Sequence, residues 1–184
     1  MQTGNRKSVT LVLGGARSGK SRFAQQLAAR AGKVTFLATA QASDEEMRRK
    51  IERHRQERPS SWTTVEVPVE LDSAIREHSG SSELLLVDCL TLYAANIMSH
   101  DRENAELMHK RVERLCEVLR TVQPSVVLVS NEVGSGVVPS FPAGVLFRDL
   151  LGEINQKVAR IADNVLVMFA GLPLVLKGKV ESES

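Results

Sequence analysis

The segment Gly14-Gly15-Ala16-Arg17-Ser18-Gly19-Lys20-Ser21 fits G-x-x-x-x-G-K-S, the phosphate-cradling P-loop pattern. This loop works only between a strand and a helix, so it constrains the fold strongly. Both neighbours are present. Val9-Thr10-Leu11-Val12-Leu13 reads as a buried strand, and Arg22 to Arg30 reads as a helix. The glycines let backbone N–H groups close around phosphate oxygens, and the helix N-terminus adds about half a positive charge. Lys20 is the group that reaches the β- and γ-phosphates, and Ser21 is a Mg²⁺ ligand.

Further apolar runs alternate with helical periods. The expected strands are Val9–Leu13, Val34–Ala38, Thr63–Val67, Leu84–Asp88, Val126–Ser130, Val165–Phe169 and a short Leu174–Leu176. Met108, Val112, Leu115 and Leu119 recur at helical spacing, as do Leu150, Ile154, Val158 and Ile161. Strand–helix alternation predicts an α/β fold, a single-domain P-loop NTPase with a mostly parallel central sheet and helices on both faces. The domain is expected over 9–177, with a disordered lead-in over 1–8 and a tail over 178–184. Aromatic residues are 4% of the 184, so the core must be aliphatic, as parallel sheets favour. A net charge of +2 and the lack of a basic stripe with interleaved aromatics argue against a nucleic-acid partner. Cys89 and Cys116 lack metal-ligand spacing and read as reduced thiols of a cytoplasmic protein. No apolar run is long enough for a membrane span.

Ligands of such sheets bind beyond the carboxyl ends of the strands, so the strand ends hold the candidate chemistry. Leu84-Leu85-Leu86-Val87-Asp88 is an apolar strand ending in a carboxylate, suited to holding Mg²⁺ with Ser21, or else to capping a helix. Cys89 reads as a packed thiol, since no neighbouring His or Lys would activate it. The stretch Ser43 to Pro59 opens with a capping-box pattern and carries Arg48, Arg49, Lys50, Arg53, Arg55 and Arg58 around His54. Met47, Ile51 and His54 share one helix face, so His54 is either the end of an apolar stripe or a nucleophile. Nearby cations favour the neutral, nucleophilic imidazole. Asn131 and Glu132 follow another strand and precede Gly134 and Gly136, where they could contact a substrate hydroxyl or a metal-bound water, or simply cap a turn. His78, His100 and His109 read as solvated surface.

These pieces together resemble the bifunctional adenosylcobinamide kinase/adenosylcobinamide-phosphate guanylyltransferases of cobalamin biosynthesis. The resemblance rests on GGARSGKS at 14–21, the Leu37–Ala40 strand end, Asp44–Met47 and Ile51–Arg55 with Arg58-Pro59. It continues through Trp62, Thr64 and Glu66, Asp88–Leu92, Asn131–Gly134, Phe147–Asp149, Gly152 with Asn155-Gln156, and Ala170–Pro173. It implies phosphorylation of adenosylcobinamide by ATP or GTP. It then implies transfer of GMP from GTP, through a guanylylated histidine that falls on His54, to adenosylcobinamide phosphate. By the same resemblance Thr39, Ala40, Gln41, Arg55, Gln56, Glu57, Arg58, Glu66 and Asp88 are nucleotide contacts, Lys20 and His54 are catalytic, and the assembly is a homotrimer. Two features depart from the family pattern. Tyr93 stands where Trp is usual, and the segment Ser140 to Leu146 lacks the usual polar residues and Arg. The residues alone also admit another small-metabolite kinase without a covalent intermediate, or a nucleic-acid-dependent NTPase.

Overall fold

The computed structural model describes residues 7–42, 45–56 and 58–179; within the second stretch, the side chains of residues 47, 50, 51, 53 and 54 lie outside the description. The elements are β1 (Val9–Gly14), α1 (Lys20–Ala28), β2 (Val34–Ala38), α2 (Glu45–Gln56), β3 (Thr63–Glu66), α3 (Leu71–His78), β4 (Leu84–Asp88), α4 (Leu90–His100), α5 (Ala105–Thr121), β5 (Ser125–Val129), α6 (Pro142–Ile161), β6 (Asn164–Phe169) and β7 (Leu172–Lys177). The strands form one sheet in the order β3-β2-β4-β5-β1-β6-β7. The first six are parallel, and β7 returns antiparallel to β6.

Side chains alternate across this sheet with the two-residue period of a strand. Leu11, Leu85, Val87, Val126 and Leu128 point into the larger core, closed by α3, α4, α5 and α6. Val12, Leu84, Leu86, Val127 and Val129 point into the smaller core with Phe36 and α1. Ala24 and Ala28 let α1 approach that face closely, and both are fully buried. Strands buried on both faces need continuous apolar runs, which is why the sequence showed them so clearly.

Boundaries differ from expectation where local chemistry decides them. The helix after the P-loop begins at Lys20, inside the motif. α3 is an additional helix, short and amphipathic. β7 is longer than Leu174–Leu176 because a two-residue turn, Ala170-Gly171 with positive φ at both, brings the chain straight back beside β6. Lys7 and Ser8 already belong to the domain: the Ser8 carbonyl accepts from Val126 N–H at 2.8 Å. Lys179 N–H likewise donates to Asn164 Oδ1 at 3.1 Å. Residues 1–6 and 180–184 lie outside the described residues.

Candidate active site

The parallel register aligns the strand tips. Glu66, Ala38, Asp88, Val129 and Val12 stand in one row across β3, β2, β4, β5 and β1. The residues just beyond that row form the site.

The P-loop leaves β1 at Gly14 and enters α1 through Gly19, whose φ of 96° is a left-handed value that favours glycine. A side chain at Gly19 would also press on the Gly171 backbone, 3.3 Å away. Gly171 N–H donates to the Ser18 carbonyl at 3.1 Å, so the β6–β7 turn buttresses the loop. Ala16 and Arg17 are exposed at the loop crest. Lys20 is buried, and its Nζ donates to the Gly15 carbonyl at 2.5 Å. Burial lowers its pKa, and the fields of Cys89 and Asp88 oppose that shift. Lys20 thus sits inside the loop, within the electrostatic reach of Asp88.

Asp88 ends β4. The next residue, Cys89, is fixed by Thr39 from the tip of β2: Thr39 Oγ1 donates to the Cys89 carbonyl at 2.7 Å and accepts from Cys89 N–H at 2.8 Å. Asn96 of α4 donates to the Thr39 carbonyl at 2.8 Å and to the Pro68 carbonyl at 3.0 Å. Thr39 is fully buried, so its hydroxyl supports the Asp88–Cys89 turn. Cys89 itself is disarmed: burial, and after it the Asp88 charge, push its thiol up to about 11.

Arg58 lies near the same carboxylate. Its guanidinium stacks over the Phe36 ring at 3.5 Å from the centroid, and its Nη1 donates to Thr64 Oγ1 at 3.4 Å. Its Nε is buried with no hydrogen-bond partner among the described residues. Burial lowers its pKa, Asp88 acts against that shift, and Arg55 adds to it. An arginine held by a ring face, with an unused donor, is poised for an anion.

Asn131 follows β5 between Asp88 and the P-loop. Its backbone is pinned on both sides. Asn131 N–H donates to Thr91 Oγ1 at 2.8 Å, and its carbonyl accepts from Asn155 Nδ2 at 3.0 Å. Ser130 Oγ completes the set by donating to Asn155 Oδ1 at 2.6 Å. Glu132 N–H donates to the Gly14 carbonyl at 3.1 Å, and its carboxylate accepts from Gly134 N–H at 2.7 Å. Glu132 therefore ties its own loop down as a turn residue does.

The structure gathers the P-loop, Lys20, Asp88, Arg58 and Asn131 at one edge of the sheet. Ser21 lies one residue into α1, partly buried. Ala40 and Gln41 follow Thr39 along the same rim. Glu66 is exposed two strands from Asp88, about 10 Å at sheet spacing. Arg55 and Gln56 are exposed on the last turn of α2, Gln56 paired to Glu52 at 3.2 Å. Glu57 lies outside the described residues. His54 lies in α2, one turn before Arg58, and its side chain is outside the description. Asn96 had no local signal in the sequence, and Thr91 and Asn155 stood out only through the family resemblance; partly or fully buried polar residues on otherwise apolar helix faces were the available hint.

Ser21 and Asp88 supply hard oxygen donors at the phosphate end of the loop, a donor set that fits Mg²⁺. No group of three or more His, Cys, Asp or Glu able to hold a metal occurs among the described residues.

Comparison with known proteins gives a consistent result. The family model described as cobinamide kinase/cobinamide phosphate guanyltransferase matches residues 10–176. The bifunctional adenosylcobalamin biosynthesis protein CobP of Pseudomonas aeruginosa is 43% identical over 92% of this chain and 97% of its own. CobU of Escherichia coli, of the same description, is 36% identical over 91% of this chain and 98% of its own. Among solved structures, a prototypical ATPase of a type III secretion system superposes with a TM-score of 0.58 at 12% identity, over 91% of this chain and 56% of that one; this likeness shows the fold alone. With its family match spanning nearly the whole domain and its phosphate loop, Asp88 and Arg58 converging at one sheet edge, the chain belongs to the cobinamide kinase/cobinamide phosphate guanyltransferase family.

Proposed function

We propose that this chain performs two successive transfers at one nucleotide site. In the first, the hydroxyl of adenosylcobinamide attacks the γ-phosphorus of ATP or GTP, and the nucleoside diphosphate leaves. In the second, an imidazole nitrogen of His54 attacks the α-phosphorus of GTP. A P–N bond forms, and the bond to the bridging oxygen breaks as pyrophosphate departs. A phosphate oxygen of adenosylcobinamide phosphate then displaces the imidazole, giving adenosylcobinamide-GDP and restoring His54. Splitting the exchange in two replaces one hard displacement by two easier ones.

The observation that carries this reading is the family match over residues 10–176, on a chain whose Lys20 and Arg58 both feel Asp88. Lys20 neutralises the β- and γ-phosphates, and Arg58 offers its stacked guanidinium to charge developing at phosphorus. Mg²⁺, held by Ser21 and Asp88, adds charge neutralisation when bound. Glu66, Ala40, Gln41, Arg55, Gln56 and Glu57 complete the nucleotide contacts in this reading, and Asn131 faces the acceptor. A cytoplasmic homotrimer belongs to it as well. The exposed apolar edge strand β7, with Leu172 at 71% and Leu176 at 60% accessibility, suits a subunit contact.

The test is labelling with α-labelled GTP, Mg²⁺ and no corrinoid, beside γ-labelled GTP. Protein-bound α-label that withstands alkali, is lost in acid and is absent from His54→Ala supports the histidine intermediate. Retention of α-label in His54→Ala overturns it. If only γ-phosphate moves, and moves to the corrinoid, the protein is a kinase without a covalent step.

A further inference from the structure

A cleft of about 720 Å³ opens between the outer part of α4 and the first turns of α6. Its walls are Ala95 and Met98 on one side and Phe141 and Phe147 on the other, with Arg102 and Glu103 at the rim. We propose that this cleft seats the corrinoid acceptor, with the macrocycle against the two phenyl rings and its peripheral amides on Arg102 and Glu103. The proposal rests on the function given above.

Position is the first argument. Thr91, Ala95 and Met98 share one face of α4, and Thr91 holds Asn131 N–H at the strand tip. Ala95 lies about 6 Å further along the helix. On α6, Asn155, two turns beyond Phe147, holds the Asn131 carbonyl. The inner end of the cleft, at Ala95 and Phe147, thus lies about 6 Å along α4 from Thr91 and about 12 Å along α6 from Asn155, the two residues that hold Asn131. An acceptor seated there presents its arm toward the phosphate end of the site.

Chemistry is the second. The volume falls in the range of small-molecule sites, roughly 300–1,000 Å³. Small residues keep the floor flat. A Cβ at Gly144 would lie 2.8 Å from two carbons of the Phe141 ring, so the glycine is what lets Phe141 fold over α6. Phe141 remains 59% exposed, a large apolar surface without an intramolecular reason to be there. α4 ends in two consecutive left-handed residues, Arg102 (φ 51°) and Glu103 (φ 59°). Their side chains have no hydrogen-bond or ion-pair partner among the described residues. A guanidinium and a carboxylate on one rim together match primary amides, each of which offers one carbonyl and two N–H donors. Phe141, Ala143 and Gly144, with Phe147, build one wall of this cleft. Its apolar character here favours contact with the macrocycle over contact with a phosphate.

Adenosylcobinamide, which is coloured, can be followed by equilibrium dialysis against the full chain, with GTP binding measured in parallel. Ala95→Leu fills the cleft, and Phe141→Ser removes a wall at an exposed position where folding is not at stake. Each should weaken corrinoid binding about 10-fold or more, while Phe141→Leu stays within about 3-fold. Corrinoid binding within twofold of the parent in Ala95→Leu and Phe141→Ser overturns the proposal. If those variants instead change the mass of the assembly in sedimentation, the cleft is a contact between copies of the chain and the proposal is likewise overturned. A parent protein that binds GTP but neither binds nor phosphorylates the corrinoid overturns the proposed function itself, and the cleft assignment with it.

Discussion

The Thr39 hydroxyl satisfies both backbone groups of Cys89, donating to its carbonyl at 2.7 Å and accepting from its N–H at 2.8 Å. One side chain of β2 thereby sets the direction in which the chain leaves Asp88. Thr39→Val leaves the Cys89 N–H unpaired, while the Cys89 carbonyl keeps the bond from Tyr93 N–H at 3.1 Å, and should cost about 1–3 kcal/mol in stability. It should also raise the Mg²⁺ concentration needed for half-maximal transfer. Thr39→Ser keeps the hydroxyl and should restore the Mg²⁺ dependence. Thermal melts and Mg²⁺ titrations of the transfer rate check both. An unchanged Mg²⁺ requirement in Thr39→Val would reduce Thr39 to a packing residue.

Lys20 reaches into the loop from a buried position, so its charge acts where water screens it little. Lys20→Ala should lower the rate of phosphoryl transfer by about 10²–10³. Because the Nζ also bonds the Gly15 carbonyl, the variant should show looser nucleotide binding in calorimetry.

Cys89 should resist alkylation in the native state. With its thiol raised to about 11, the thiolate fraction at pH 8 is about 10⁻³. Iodoacetamide labelling followed by mass spectrometry should find Cys89 unmodified at pH 8 until denaturant is added. Rapid native labelling there would contradict the packed-thiol reading.

Asp101 and Arg111 form a largely buried ion pair at 2.8 Å, with side-chain accessibilities of 2% and 11%. Burial alone would raise the Asp101 pKa, but hydrogen bonds from Arg111 and His100 outweigh it and hold the carboxyl below its ordinary 3.8. A depressed carboxyl stabilises the fold above the unfolded-state value, and that stability is lost as pH falls through the folded value. Urea unfolding should therefore show the contribution intact above about pH 5 and fading below about pH 4. Asp101→Asn should cost about 1–3 kcal/mol at neutral pH, since Arg111 keeps Glu70 at 2.7 Å, and flatten that acid limb.

Much of the architecture was legible because it is local. Strands buried on both faces show as apolar runs, and the expected β2 and β4 match the observed spans residue for residue. The P-loop and Asp88 stood out for the same reason: each motif is contiguous. α3 did not, because eight residues with Leu71, Ala74 and Ile75 inward carry little periodicity. The supports of the site were invisible in principle. Asn96 reaches Thr39 across 57 positions, and Asn155 reaches Asn131 across 24. A hydrogen bond that spans the fold leaves no pattern along the chain. Tyr93 is fully buried, and its hydroxyl has no hydrogen-bond partner among the described residues.

The place of β1 in the sheet has a consequence for how the protein comes into being. β1 leaves the ribosome well before its two neighbours, β5 and β6, which follow more than a hundred residues later. The turn that steadies the loop, at Gly171, arrives later still. Non-local parallel pairings of this kind close slowly and leave apolar edges open meanwhile. The phosphate loop is thus synthesised long before it is assembled, and a nucleotide can help hold the fold together only once β5, β6 and the Gly171 turn have followed it out.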